Sequence, residues 1–361
     1  MIAVNARFLT QELRGVQRFA KQICLELQAM RDDLVFLVPS RGRLSPGAAG
    51  LRTRRIGVNG GHLWEQLDLP LWLARQGKPL LLSLGNTAPA YYRNQIATHH
   101  DITYVRHPES YSATFALAYR HLTPRILKRA RALITVSEFS RQEIAEYYGY
   151  PAEHINVVPN AVASSFCSAS PASRAERPYL LAVSSINAHK NFGRMAQAFL
   201  LLEDCEDVEL RIVGDCHAAF SATAAGIEHP RVRWLGRLSD DELADQYRGA
   251  TAFVFPSLYE GFGIPPLEAQ ACGCPVIAAH SASIPEVLAD SALLFNPFDV
   301  QEMALCMRRV LREQGLRDEL VTRGKRNLAR YSWRASADRV SRLIDSVEAS
   351  RPALDLRFEE G

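Results

Sequence analysis

Apolar positions along the chain fall into two rhythms. Met1-Ile-Ala-Val-Asn5 is a short apolar run and predicts a first strand. Val16, Phe19, Ala20, Ile23, Cys24, Leu27 and Met30 then recur at three- and four-residue steps, which predicts one apolar helix face. Further strand-like runs follow at Leu34–Val38, Leu80–Leu84 and Ala132–Val136. The stretch 102–118 is rich in turn formers and Tyr and reads as a loop leading into a helix.

After a Ser-, Ala-, Pro- and Arg-rich segment at 163–178, the composition of a linker, a second alternating series begins. Tyr179–Ser184, Val208–Val213, Val232–Leu235, Ala252–Phe255 and Pro275–Ala278 are continuous apolar runs. Such runs suit a parallel sheet covered on both faces. Ser239-Asp-Asp-Glu242 predicts a capping box at a helix start. Helical patterns occupy about 300–313, 317–330 and 334–349. The expected class is α/β, with two parallel-sheet domains meeting at a cleft between the carboxyl ends of their strands.

Bulk properties narrow this little. The chain has 361 residues, long enough for two domains. Its 42 Lys and Arg against 39 Asp and Glu give a net charge of +3, too even to imply nucleic acid. Seven scattered cysteines do not make a disulfide framework and fit a reducing cytoplasm. Cys272-Gly-Cys274 lacks the spacing and second pair of a metal site, so the two read as small buried residues beside a strand. No signal peptide or run of about 18 apolar residues is visible, so contact with a membrane would be peripheral.

The strongest chemical signal is Pro256-Ser-Leu-Tyr-Glu260-Gly-Phe-Gly263-Ile-Pro-Pro-Leu-Glu268-Ala-Gln-Ala-Cys-Gly-Cys-Pro275. A strand runs into a two-glycine turn, and prolines open a helix where proline is tolerated. The glycines admit close approach of a ligand to backbone amides, and the helix N-terminus adds a positive pole suited to a diphosphate or sugar hydroxyls.

This segment resembles the Glu-x7-Glu signature of glycosyltransferase family 4, retaining enzymes of GT-B fold. The resemblance implies that Glu260, Gly261, Phe262 and Gly263 contact the donor sugar and that Glu268 holds the ribose hydroxyls. Ser184-Ser-Ile-Asn-Ala-His189-Lys190-Asn191 is similar to the family's donor-phosphate motif, with His189 where Arg is common. Lys190 would then bind the diphosphate and stabilise the leaving group. Arg14-Gly15-Val-Gln-Arg18 resembles the family's glycine loop, with Gln17 for the second glycine. Gly15 is the candidate there, and Arg18 reads more simply as a solvated helix residue. Ala97-Thr-His-His100-Asp101 resembles the family's His-Asp pair, which puts His100 near the anomeric carbon or the primary hydroxyl, able to donate or accept. A cleft residue without a chemical role is the other reading of His100. The implied donor-binding set also takes in Asp101 and Ile264.

Val-Ser137-Glu138-Phe-Ser, Val-Pro-Asn160, which resembles the family's segment at the domain junction, and Trp333 extend the likeness to about residues 12–345. The implied fold is two Rossmann-like domains facing across a cleft. Residues 1–165 would form the acceptor domain, 166–333 the nucleotide-sugar donor domain, and a C-terminal helix, 334–361, would cross back to the first. The chain has no Asp-x-Asp triplet, so no metal and no cofactor are expected. No Gly-x-Gly-x-x-Gly or P-loop pattern occurs, which disfavours NAD and P-loop enzymes.

The resemblance is to bacterial polysaccharide and lipopolysaccharide mannosyltransferases. It implies GDP-mannose or a related GDP-sugar as donor and a glycan on a polyprenyl diphosphate as acceptor. A UDP-glucose enzyme, a GT-B-fold epimerase or phosphorylase, and a non-catalytic binding module are the alternatives. Arg120, Arg125, Lys128, Arg129 and Arg131 crowd into one segment near Tyr119 and Leu127. Two readings of that cluster stand: an amphipathic helix resting on anionic lipid, or a solvated face.

Overall fold

The computed structural model describes residues 1–12, 14–45, 48, 50–167, 176–183, 187–214 and 229–350. Residues 168–175 of the linker, Ser184–Ile186 of the phosphate motif, Cys216 and the end of the chain after 350 lie outside the described residues.

Two parallel sheets organise the chain. The first holds β1 (Ile2–Asn5), β2 (Leu34–Pro39), β3 (Thr53–Ile56), β4 (Leu81–Ser83), β5 (Gln95–Thr98), β6 (Ala132–Thr135) and β7 (Ile155–Val157), in the order β3-β2-β1-β4-β5-β6-β7. The second holds β8 (Tyr179–Val183), β9 (Glu209–Val213), β10 (Val232–Gly236), β11 (Ala252–Phe255), β12 (Val276–Ala279) and β13 (Leu293–Phe295), in the order β10-β9-β8-β11-β12-β13. In each sheet the winding direction reverses beside the first strand, between β1 and β4 and between β8 and β11. A reversal opens a crevice at the carboxyl ends of those strands, because the connecting helices leave toward opposite faces.

The strands are buried on both sides, as their continuous apolar runs require: every residue of β1, β6, β11 and β12 is buried. The first helix, Gly15–Met30, places Phe19, Ala20, Ile23, Cys24 and Leu27 against the first sheet. The expected capping box forms at Ser239, whose hydroxyl accepts from Glu242 N while the Glu242 carboxylate accepts from Ser239 N.

The segment 102–118 is more helical than expected. Short helical turns cover Thr103–Arg106 and Pro108–Ser110, and a helix runs over Ala113–Arg129 with Pro124 inside it. Ile126 and Leu127 of that helix lie in the core of the first domain. Leu127 is therefore used internally, and the basic residues Arg120, Arg125 and Lys128 lie on the exposed side of the helix.

The last helix, Trp333–Ala349, leaves the second domain and packs along the first helix. Ser336 donates to Pro159 O at 2.7 Å, and Arg31 reaches Asp345 at 2.6 Å and Ser341 at 3.1 Å. Val340 and Ile344 are fully buried in this seam. Truncating Ile344 to Ala should cost about 2–5 kcal/mol in urea unfolding monitored by circular dichroism. A loss well below 1 kcal/mol would mean that the helix does not seal the seam.

Candidate active site

A cleft of about 590 Å³ lies between the two sheets. Its lining includes Gly15, His100 and Asp101 from the first domain and Lys190, Glu260, Gly261, Phe262, Gly263, Ile264 and Glu268 from the second. Each follows the carboxyl end of a strand: Gly15 after β1, His100 and Asp101 after β5, Lys190 after β8, and the glycine loop after β11. Topology alone thus gathers ten residues spread over 254 positions.

Lys190 ends a helical turn, Ala188–Lys190, and is followed by Asn191 in a left-handed conformation. Asn tolerates that backbone better than most residues. Its side-chain amide donates to Pro256 O at 3.2 Å and Pro297 O at 2.8 Å, pinning the turn to the β11 and β13 ends. Leu258 N donates to His189 O at 2.7 Å and adds a second pin. These ties bring Lys190 Nζ to 2.6 Å from Glu260 Oε1, both side chains mostly buried. His189 supplies no second cation. Burial, then the charges of Lys190 and His107, push it down to about 3, and its Nδ1 lies 2.8 Å from Ser110 Oγ of the first domain.

Gly261 and Gly263 are required for different reasons. A Cβ at Gly261 would sit 2.8 Å from Asp101 Oδ2, across the domain interface. Gly263 has φ +87, caps the helix Ile264–Ala271 and would place a Cβ 3.3 Å from Phe255. The Gly261 carbonyl accepts from Ser137 Oγ at 2.6 Å and Ser140 Oγ at 3.1 Å. Ser137 also caps its own helix by accepting from Ser140 N at 3.0 Å. Glu286 of the second domain accepts from the free amides of Glu138 and Phe139 at that same helix start. A segment read only as part of the family likeness is thus the clasp between domains.

His100 is buried, and its Nε2 lies 3.1 Å from Leu84 O. A carbonyl only accepts, so Nε2 carries the hydrogen. Burial lowers the His100 pKa, which keeps the ring neutral near pH 7 with Nδ1 as an acceptor. Nε2 donates to Leu84 O, so of the two behaviours expected for this ring toward a ligand, acceptance at Nδ1 is the one left. Asp101 turns one carboxylate oxygen onto Thr103, accepting from its N at 2.8 Å and its Oγ1 at 2.6 Å.

Glu268 is buried, and Tyr247 donates to its Oε2 at 3.3 Å. Burial pushes this carboxyl up to about 7, against the pull of the Arg18 charge. Arg18 is not a solvated helix residue. It forms a two-pronged ion pair with Asp240 of the other domain, one prong at 2.8 Å, and lines the cleft beside Glu268. Glu12 meets Arg237 at 2.8 Å in a second bridge between domains. No local periodicity marks these pairs, though Arg237 could have been flagged from its place just after β10. Asn160 was read only as a junction residue. It lines the cleft with a buried Oδ1 that has no partner among the described residues. Cys272 Sγ bonds Phe166 O and Cys274 is buried beside β12. Among the described residues no group of three or more His, Cys, Asp or Glu could hold a metal ion, and no helix is long and apolar enough to cross a membrane.

The family profile "Glycosyltransferase Family 4" matches residues 13–166, and "Glycosyl transferases group 1" matches residues 166–327. The chain is 30% identical over 260 residues to O-antigen chain mannosyltransferase B of Escherichia coli, covering 68% of each. The chain belongs to glycosyltransferase family 4. It is therefore a glycosyltransferase. A second relative, O-antigen chain mannosyltransferase RfbU of Salmonella typhimurium, is 30% identical over 272 residues, covering 73% of this chain and 74% of that one. The GT-B architecture is seen in HepE of Anabaena, crystallised with UDP and glucose, which superposes with a TM-score of 0.75 at 18% identity over 96% of this chain and 99% of that one.

The raised Glu268 pKa makes stability depend on pH. The folded chain holds this proton more tightly than the unfolded chain does. The advantage is complete below about pH 4.5 and is lost as pH rises to about 7. By linkage the ionised group then costs up to ~3 kcal/mol. Glu268→Gln should therefore gain stability relative to the parent between pH 5 and pH 8 in urea unfolding. A pH-independent difference would show that Glu268 is not held protonated by burial.

Proposed function

We propose that this glycosyltransferase moves mannose from a GDP-sugar to a glycan acceptor with retention of configuration, in the assembly of a bacterial surface polysaccharide. The observation that carries the reading is the convergence of all ten sequence-marked residues on one interdomain cleft. The mannosyl specificity rests on the O-antigen mannosyltransferase relatives named above, whose similarity spans both domains. The acceptor is a lipid-linked saccharide, and the enzyme meets its carrier peripherally at the inner face of the cytoplasmic membrane.

In this reading the ribose hydroxyls donate to Glu268, and the diphosphate lies between Lys190 and the amides near Gly15 and Gly263. Glu260 and the glycine loop hold the sugar. His100, neutral and accepting at Nδ1, orients a sugar hydroxyl, and Asn160 Oδ1 takes another. The bond between C1 and the β-phosphate oxygen breaks, and its electron pair leaves with the nucleoside diphosphate. Lys190 stabilises the charge that builds there. The acceptor oxygen attacks C1 on the face being vacated, and its proton passes to the departing phosphate. No metal is needed, because a lysine and a helix pole supply the positive charge.

The Lys190–Glu260 pair has a consequence for the mechanism. Lys190 is already neutralised by a carboxylate at 2.6 Å, so the diphosphate shares the ammonium rather than capturing it. Glu260 thereby holds Lys190 in place while it binds the sugar. Either Lys190→Ala or Glu260→Ala should lower kcat by two orders of magnitude or more with the melting temperature nearly kept, measured as GDP release from GDP-mannose with acceptor present. Near-normal turnover in both would overturn the assignment. Nucleotide release without acceptor would point instead to an epimerase or phosphorylase type of reaction.

A thermal-shift panel of GDP, UDP, GDP-mannose and UDP-glucose decides the donor, since a ligand at a hundred times its Kd adds roughly 2.7 kcal/mol. Donor affinity should also rise with pH up to about 7, because two ribose hydroxyls donate best to an ionised Glu268. Glu268→Gln should flatten that rise; a GDP affinity that stays level from pH 6 to pH 8 in the parent would remove Glu268 from the ribose.

A further inference from the structure

The segment 58–75 carries an apolar stripe that none of the described residues covers. A continuous helical stretch runs through Gly61–Leu63, Trp64–Asp68 and Leu69–Arg75, its middle turn widened into a π-helix. One side is anchored in the core. Trp64, Leu69 and Leu73 are fully buried, and the Trp64 indole donates to Ile56 O at 2.9 Å. On the other side Leu63, Leu67 and Leu71, spaced by four, are 63%, 58% and 53% exposed, and Val58 is 66% exposed. Leucines at helical spacing on a face fixed so firmly are not a frayed end.

The surroundings are cationic. Residues 52–80 hold Arg52, Arg54, Arg55, Arg75 and Lys78, and their only carboxylates are Glu65 and Asp68. Glu65 is buried against Asn5 and Arg7, and Asp68 accepts from Val58 N, Asn59 N and Asn59 Nδ2. Gln66 fastens the helix to the next loop, donating to Ala88 O and accepting from Ala90 N, both at 2.9 Å. That loop exposes Tyr91, over whose ring Arg129 lies at 5.1 Å. Arg129 belongs to the helix Ala113–Arg129, where Leu117 is 59% exposed and Arg120, Arg125 and Lys128 face solvent. Residues 84–98 and 113–131 contain no carboxylate. With a net charge of only +3, this one-signed region is a local arrangement and not an average property.

We infer that this face of the first domain, the Leu63-Leu67-Leu71 stripe with its Arg and Lys rim and the adjoining Tyr91–Arg129 surface, docks onto an anionic bilayer. Exposed leucines enter the acyl boundary while guanidinium and ammonium groups meet lipid phosphates. The inference rests on the lipid-linked acceptor proposed above and identifies the surface that brings the cleft to it.

Flotation of the full-length enzyme with vesicles of phosphatidylcholine, with and without phosphatidylglycerol, tests this. The vesicles contain neither sugar nor polyprenyl carrier. The parent should bind the anionic vesicles, more weakly as salt rises. Leu63→Ser/Leu67→Ser/Leu71→Ser should bind them on the order of tenfold more weakly, and Arg120→Gln/Arg125→Gln/Lys128→Gln should lose the preference for phosphatidylglycerol. Both variants should keep the parent melting temperature and turnover on a soluble glycan acceptor. Binding of the leucine variant equal to the parent's, or no binding by the parent, overturns the inference. So does a dimer in light scattering that the leucine substitutions dissolve, since a second copy would then be the occupant. Failure of GDP-mannose turnover alongside intact vesicle binding would strike the proposed donor and leave the docking face standing.

Discussion

The Gly261 carbonyl accepts two serine hydroxyls from the opposite domain, and its α-carbon faces Asp101 too closely for any side chain. Everything in the cleft depends on that approach. It brings the β11 loop against the β5 loop, so that groups on separate sheets can act on one substrate. Other contacts fall into place around it: Glu286 on the Glu138 helix start, Ser110 beside His189, and Tyr259 donating to Glu143 at 3.2 Å. The carboxylates and cations that cross the interface lie at its rim, partly in water, where each contributes little stability. The shape of the seam comes from backbone carbonyls, small residues and serine hydroxyls. Charge serves mainly to set the register of the two halves.

Burial explains the chemistry as much as position does. Glu268 and Glu260 stand eight residues apart, yet one is isolated from water and pushed up to about 7 while the other faces an ammonium. His100 and His189 are both desolvated and so both neutral at physiological pH. The cations that line the cleft, Lys190, Arg18, Arg14 and Arg237, are each tied to a carboxylate.

The sequence disclosed the cleft more fully than the fold around it. Strands buried on both faces, such as Ala252–Phe255, announce themselves as apolar runs. The edge strand Thr53–Ile56 does not, because two exposed arginines break the pattern. Ile155–Val157 and Leu293–Phe295 are too short for any periodicity to register. The turn formers of 102–118 hid only the start of the Ala113–Arg129 helix. Lys190, Glu260 and Glu268 were legible because their spacing within a strand–turn–helix unit is local. Arg18 and Asp240 are 222 positions apart, and only the folded chain reveals that they meet. Asn160 was legible as a residue of the domain junction, but its orphaned oxygen is a property of packing.

The helix Trp333–Ala349 that closes the molecule is made long after the helix it covers. Phe19 and its neighbours on the first helix find their cover partly in Trp333 and the residues after it. At ordinary synthesis rates roughly 15–60 s separate the emergence of those two elements. Throughout that interval the nascent first domain shows the ribosome's surroundings a bare hydrophobic strip. Its safe passage then depends on chaperones, or on a second domain that folds quickly enough to deliver the missing piece.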